Sequence, residues 1–582
     1  MIVCAQTARC QTIRCGEAMN TNRKAMHAGE AVAEAIREEG VTSVYSVPGS
    51  HVHPIYDGLS RVEGLNFITV KQEPNASLMA DAFGRLTGKP GVCVVTAGPG
   101  CINSMAGVGQ AYSAASPMVH ISGAVPLKAD LEPFHGVDEP DFINKMFRPI
   151  TKWTARVEAI EDIPNTLAKA FHIARSGRPG PVHVEIPRLT DYSEYILQEE
   201  PAIIPEYCRI ETVVAVPMVG DVDWFARRLM EAKSLVIAVG KGVVRQNAIG
   251  ELMALIDKLQ SPVAFSQDTI GVIPANHPLS TGHFGGVQPH PISAAVLSKA
   301  DLVFCIGTRM SSAEMTALED YIGETALLVA GFDDEADGRY RGNDQIVADP
   351  KLFLAALLKR LGNEHRAGDP TQIERIAMMK AAIGEKLASQ TDAHRNDTPI
   401  YPGIVMDAMN KVLDDSAIVA CDVGNCQMWA RLHRRIATPY SFMQSGGWNA
   451  MSFALPTALV AGLEFPDRDV VALAGDGAFL MTCGDLPTAA EYGANILMIV
   501  MNNGAYGQTY MQQKSIYGHT FGTTFESPDF AMMAQSCGAL GLRASDPSEV
   551  EDVLREGLAA TKDKPVLVEM MIKDYPYPSI KI

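Results

Sequence analysis

Val470-Val471-Ala472-Leu473-Ala474-Gly475-Asp476-Gly477, followed further on by Ile496-Leu497-Met498-Ile499-Val500-Met501-Asn502-Asn503-Gly504-Ala505, decides the fold. Each stretch is an apolar run of strand length that ends in a turn carrying an oxygen donor. The residues between them read as a helix, with Leu486, Ala489 and Ala490 on its packing face. Strand, helix and strand in that order make a parallel unit. Its two strand ends then lie together at the carboxyl edge of the sheet, where such sheets take ligands. There Asp476 offers a carboxylate, Asn503 an amide oxygen and Ala505 a backbone carbonyl. That donor set suits Mg²⁺, a hard cation that shares its oxygens with a substrate phosphate. Gly475 and Gly477 let the backbone approach a diphosphate closely, with Ala478 next in line.

The same alternation of strands and helices recurs in two earlier blocks, so the fold class is α/β, with three doubly wound parallel-sheet domains. The first domain is expected over 26–190, a linker rich in Pro, Glu and Tyr over 191–220, and a central Rossmann-like domain over 221–362. A polar linker holding one helix covers 363–399, and the third domain runs over 400–582. Residues 1–25 have no apolar stretch of a secretory signal and read as a disordered tail or a start set too early, with Met19 or Met26 as the true beginning.

At 582 residues and a net charge of −18, the chain is a multidomain globular protein ill suited to nucleic acid or anionic membranes. A phosphate-bearing ligand stays open to it, because backbone N–H groups and a metal handle phosphate locally. Its eleven cysteines include no C-x-x-C pair, which fits a reducing, cytoplasmic setting. The longest apolar runs are too short to span a bilayer.

Gly475-Asp476-Gly477 with Asn502-Asn503 resembles the diphosphate motif of thiamine diphosphate enzymes, and the chain resembles the acetolactate synthase-like family from about Met26 to its end. The resemblance names the three domains as pyrimidine-binding, central and diphosphate-binding. It implies thiamine diphosphate with Mg²⁺ held by Asp476, Asn503 and the carbonyl of Ala505. It also implies that Glu73, at a strand-to-helix corner before Pro74, hydrogen-bonds the aminopyrimidine ring and promotes loss of the thiazolium C2 proton. Gly98-Pro99-Gly100, then Asn103, matches the element that adjoins the cofactor of a neighbouring subunit. Ser445 to Pro456 resembles the segment that keeps the cofactor bent, with Asn449 beside it and Met451 as the wedge between its rings. Asn425 and Gln427 fall where diphosphate contacts are expected, although Asn425-Cys426 replaces the usual Gln-His. The family pattern implies a homodimer or homotetramer in which Glu73 and Asp476 meet only across an interface.

The residues expected around the substrate are mixed. Gln508 and Gln512 stand where acetolactate synthases carry methionine and tryptophan, and Val137-Asp138 replaces their phenylalanine–glutamine pair. His51, in Pro48-Gly49-Ser50-His51, is similar to the active-site histidine of benzaldehyde lyase-like enzymes, and Pro149 to Trp153 also resembles that group. His51 and Asp138 are therefore candidate proton-handling residues beside Glu73; His53, His120 and His135 read as structural. The expected function is a carboligase or lyase acting on 2-oxo acids, hydroxy ketones or aldehydes, with 2-hydroxyacyl-CoA lyase or 2-oxo acid decarboxylase as alternatives. A non-catalytic regulatory subunit of the same fold would be expected to have lost Glu73, Asp476 or Asn503, and all three are present. In the central domain, Gly240-Lys241-Gly242 is near a dinucleotide fingerprint but has Arg245 in place of its third glycine. Arg309 is compatible with FAD, so FAD or ADP stays open there.

Overall fold

A computed structural model describes residues 26–125, 133–139, 141–187, 196–197, 215–286, 288–309, 314, 319–323, 325–331, 344–576 and 580. The tail 1–25 and most of the linker 191–220 lie outside these.

Three six-stranded sheets, parallel throughout, form the three domains. The first has the spatial order Asn66–Thr69, Ser43–Ser46, Gly91–Val95, Met118–Ala124, Pro181–Pro187, Trp153–Arg156. The third runs Phe442–Gln444, Ile418–Cys421, Val470–Gly475, Leu497–Asn502, Val566–Met571, Leu540–Ala544. Numbered along each domain, both orders are 2-1-3-4-6-5. The central sheet, whose strands begin at Leu235, Val263, Ser280, Leu302, Ala326 and Asp344, is wound 3-2-1-4-5-6, the dinucleotide-fold order. The likeness of outer domains and the difference of the middle one are invisible in the hydropathy pattern, which reports strands and not their neighbours.

The central strands read as continuous apolar runs because helices cover both faces of a parallel sheet. Val470–Gly475 and Leu497–Asn502 are buried almost throughout. In the outer domains the strand order reverses between strands 1 and 3, which opens a crevice at their carboxyl ends. In the first domain that crevice lies between Ser46 and Val95, and in the third between Cys421 and Gly475.

The helix Glu73–Thr87 packs on Ala454–Glu464, so Met79 and Phe83 share one apolar core with Phe453 and Ala458. Polar ties flank that contact. Arg85 Nη2 donates to the carbonyl of Gln444 at 2.8 Å, and the backbone N–H of Lys71 donates to Asp485 at 2.8 Å. The linker 363–399 holds the expected helix, Pro370–Ala393, which Asp369 caps by accepting from the Thr371 N–H. Ile196–Leu197 pairs antiparallel with Met26–His27, a two-residue contact within the first linker that composition gives no hint of. Among the described residues no helix is long and apolar enough to cross a membrane.

Candidate active site

A cavity of about 130 Å³ opens at the crevice of the third domain. Val423 to Cys426 line one side, Gly475 to Ala478 the other, and Met451, Asn503, Ala505 and Gln508 complete it. All of its lining belongs to the third domain, and Glu73 is not part of it.

Asp476 is the first residue of the helix Asp476–Leu480 and only 1% exposed. One carboxylate oxygen accepts from the Gly477 N–H at 2.8 Å. The other accepts from Gly504 N at 2.6 Å, Asn503 N at 3.2 Å and Ser527 Oγ at 3.2 Å. Burial pushes its carboxyl up, and these donors oppose the shift. The side chain thus clamps the turn 502–504, whose strand is the direct neighbour of its own. Asn503 Nδ2 donates to Asp574 Oδ1 at 2.7 Å, which turns the amide oxygen to the opposite side. Ala505 pairs with Thr524, and the bonds that make this bridge, Phe525 N to Gly504 O and Tyr506 N to Thr523 O, flank it. Its own carbonyl is therefore directed away from that segment. A carboxylate, an amide oxygen and a backbone carbonyl, the donor types a hard divalent cation takes, thus belong to residues that line one cavity.

The glycines divide by task. A Cβ at Gly475 or Gly424 would meet nothing within 4 Å, so both leave open room where a diphosphate would lie. Gly477 instead makes room for Tyr506, whose ring would be 2.6 Å from an added Cβ. Met451 reaches the cavity between Asn449 and Ser452, which hold the left-handed backbone at φ 59° and 74°. Such angles strain a residue with a side chain and persist where the surroundings enforce them. Asn449 itself is exposed and does not line the cavity. Asn425 does, whereas Gln427 is buried beneath it and does not.

The other half of the expected site gathers at the crevice of the first domain. Glu73 opens the helix Glu73–Thr87 and accepts from Asn103 Nδ2 at 3.2 Å. A Cβ on Gly100 would lie 3.3 Å from the Glu73 carboxylate and 2.8 Å from Thr96, so the glycine admits the acid. Gly98 holds φ 59° with an added Cβ only 2.3 Å from the His135 carbonyl. His51 is 3% exposed, with Nδ1 3.5 Å from Thr96 Oγ1. Asp138 is exposed on the loop beyond, so within one chain it does not meet the condition of a buried acid.

Three residues of the two crevices escape the sequence reading. His135, read there as structural, packs its ring 4.8 Å from that of His51 and directs Nδ1 to the Ala97 carbonyl. Asp422 is fully buried, accepts from the N–H groups of Val423 and Ala454, and is pushed by burial up to about 6. Its place directly after an apolar strand was the available signal. Asp574 carries no such signal, being 71 residues from Asn503.

Models of thiamine pyrophosphate enzyme domains match each third of the chain: the N-terminal domain at 26–144, the central domain at 222–357 and the C-terminal domain at 422–570. The probable acetolactate synthase large subunit of Methanococcus aeolicus is 31% identical over 571 residues, covering 94% of this chain and 92% of that protein. The acetolactate synthase large subunit of Haemophilus influenzae is 32% identical, covering 95% and 96%. The isozyme 3 large subunit of Escherichia coli K12 is 30% identical, covering 94% and 96%. The chain therefore belongs to the acetolactate synthase-like family of thiamine diphosphate-dependent enzymes and is a carboligase of that type.

Proposed function

We propose that the protein joins a 2-oxo acid, after loss of CO₂, to an acceptor carbonyl more polar than those of the acetolactate synthases. The carrying observation is Gln508, which lines the third-domain cavity next to Thr509 and stands where the acetolactate synthases carry methionine. Its amide stabilises an acceptor that carries hydroxyl or carboxylate groups and disfavours a bare alkyl chain.

In this proposal Asp476, the Asn503 amide oxygen and the Ala505 carbonyl hold Mg²⁺, and Gly475 and Gly424 leave room for two phosphates. Bound thiamine diphosphate supplies the electron sink for the carbanion chemistry. Met451, which lines the cavity, would press against the bound cofactor. Glu73 holds a proton against the pyrimidine, kept in place by Asn103 and by the absent side chain of Gly100. His51, backed by Thr96 and His135, exchanges a proton with the substrate hydroxyl. Pairing Glu73 of one subunit with Asp476 of another requires a homodimer or a larger assembly, and the cavity lining without Glu73 supports this. We assign no step to FAD or ADP. The N–H groups of Gly240 and Gly242 donate to Ile306 and Gly307 at 2.9 and 2.7 Å, so the central loop uses internally what a dinucleotide phosphate would need. The visible absorption of the purified protein reads any flavin directly. The free state of every described cysteine supports a cytoplasmic setting.

The test is to incubate the protein, Mg²⁺ and thiamine diphosphate with pyruvate, alone and paired with aldehydes and 2-oxo acids of graded polarity. Released CO₂ and condensed product are measured together. Matched CO₂ and product, highest with hydroxylated acceptors, is expected. CO₂ without condensation would instead favour a decarboxylase, and cleavage of 2-hydroxyacyl-CoA a lyase, the reading that His51 favours.

A further inference from the structure

We propose that Cys101, His120 and His183 form a buried site for a zinc-like divalent cation in the first domain, separate from the Mg²⁺ site and independent of the reaction assigned above. The three side chains come from different elements: Cys101 from the helix Pro99–Asn103, His120 from Met118–Ala124 and His183 from Pro181–Pro187. The two strands are neighbours, and His120 and His183 are directly opposite in register. One ligand atom from each residue lies within 4.8 Å of the other two, and all three residues are completely buried. Thiolate and imidazole are the donors that zinc takes, and a hard cation such as Mg²⁺ avoids them.

The hydrogen bonds around the pair indicate which nitrogens face the centre. Ser104 Oγ donates its one proton to the Cys101 carbonyl at 2.6 Å. At 2.7 Å from His120 Nε2 it accepts in that arrangement, in which His120 carries its proton on Nε2 and its Nδ1 is a bare lone pair. That Nδ1 lies 2.9 Å from Nδ1 of His183, which therefore carries the proton between them. The consequence falls on the far side of His183. Its Nε2 is left buried without a hydrogen bond, 3.9 Å from a Glu185 oxygen.

A cation between the two Nδ1 atoms gives this nitrogen a partner. The His183 proton moves from Nδ1 to Nε2, where Glu185 accepts it. The Cys101 thiol proton leaves to solvent as the thiolate binds. Each histidine then ligates through Nδ1 and donates its other N–H to a fixed oxygen, Ser104 for one and Glu185 for the other. This is the outer-shell arrangement that orients metal-bound histidines. Burial keeps both imidazoles neutral, with His183 pushed down to about 3, and pushes the Cys101 thiol up, so the thiolate forms only as the cation binds. Tetrahedral Zn–N bonds of about 2.0–2.1 Å place two nitrogens about 3.3 Å apart, so the pair need open by only about 0.4 Å. The ring of Phe147 stacks on both histidines, at 5.0 and 4.3 Å, and closes the site from one side. Cys101 follows Gly100 directly, so the cation would tie to the sheet the turn that admits Glu73.

The test is the metal content of the full-length protein expressed with zinc supplied, because a site this buried loads as the chain folds. Loosely held metal is stripped with EDTA, Mg²⁺ is restored, and zinc is measured by atomic emission. About one zinc per chain is expected in the wild type, falling below about a tenth in Cys101→Ala and Cys101→Ser. The control Cys483→Ala, at a partly exposed thiol, should keep it. Protein grown with cobalt should show a thiolate-to-cobalt absorption that both Cys101 variants lack. Either serine or alanine at 101 yields the reading if the other fails to fold. A wild type with less than about a tenth of a zinc per chain, or zinc retained in both Cys101 variants, would overturn the proposal.

Discussion

Asp574→Ala isolates the part of the proposed Mg²⁺ site that a sequence motif cannot contain. Asp574 does not line the cavity, yet its carboxylate holds the Asn503 amide at 2.7 Å and so decides which way the amide oxygen points. The segment that carries it is fixed at both sides, Ile572 N–H donating to Asn502 O at 2.9 Å and Lys573 N–H to Ile400 O at 3.1 Å. Its carboxyl, pushed up by burial, is about half buried, so the lower part of the range for a hydrogen bond to a charged group applies. That is about 1.5 to 2.5 kcal/mol, or about a 10- to 70-fold rise in the Kd for Mg²⁺. The size agrees with what outer-shell changes cost at metal sites. The assay is Mg²⁺ titration of the apoprotein at saturating thiamine diphosphate, followed by turnover. The kcat at saturating Mg²⁺ should stay within about threefold of wild type, because the ligands themselves remain. Asp574→Asn keeps an acceptor without the charge and should lie between. Unchanged Mg²⁺ affinity in Asp574→Ala would refute the assignment of Asn503 as a ligand oriented by Asp574.

Glu73→Gln should abolish turnover while leaving thermal stability and Mg²⁺ binding unchanged; measurable turnover near the wild-type rate would remove Glu73 from the chemistry. Gly100→Ala places a Cβ 2.8 Å from Thr96 and 3.3 Å from the Glu73 carboxylate, so kcat should fall at least about tenfold, with Mg²⁺ affinity unaffected. Asp422 has a folded-state pKa raised from 3.8 to about 6, so the stability it contributes is full below pH 3.8 and is lost as the pH rises through 6. Asp422→Asn should flatten this loss, of order 3 kcal/mol, and the difference in Tm between variant and wild type should grow in the variant's favour from pH 4 to pH 7.

The fold was legible because a parallel sheet covered on both faces writes its strands as apolar runs, and because Gly475-Asp476-Gly477 and Asn502-Asn503 mark where two of them end. The pairing of Val470–Gly475 with Leu497–Asn502 was legible, but its neighbour on the other side was not: only the structure brings Cys421 and Gly475 together at the crevice that forms the cavity. Residues proposed for the site from their place after a strand, such as Glu73, Asp476 and Gly100, could be singled out in advance as candidates. Those that act through a partner distant in sequence could not. Asp574 reaches Asn503 from just beyond the strand Val566–Met571, and His135 reaches His51 from a loop 84 residues away. Gln427 lies two places after Asn425 in the same helix, yet Asn425 lines the cavity and Gln427 is buried outside its lining.

The central claim is that one cofactor is held by Glu73 of one subunit and Asp476 of another. Glu73→Gln and Asp476→Ala should each be inactive alone. Co-expressed as a mixed population, half of random dimers combine the two chains, and one of the two sites in each is then intact, so about a quarter of wild-type turnover should return. Turnover no higher than that of either variant alone, in a sample shown to contain mixed oligomers, would contradict the account.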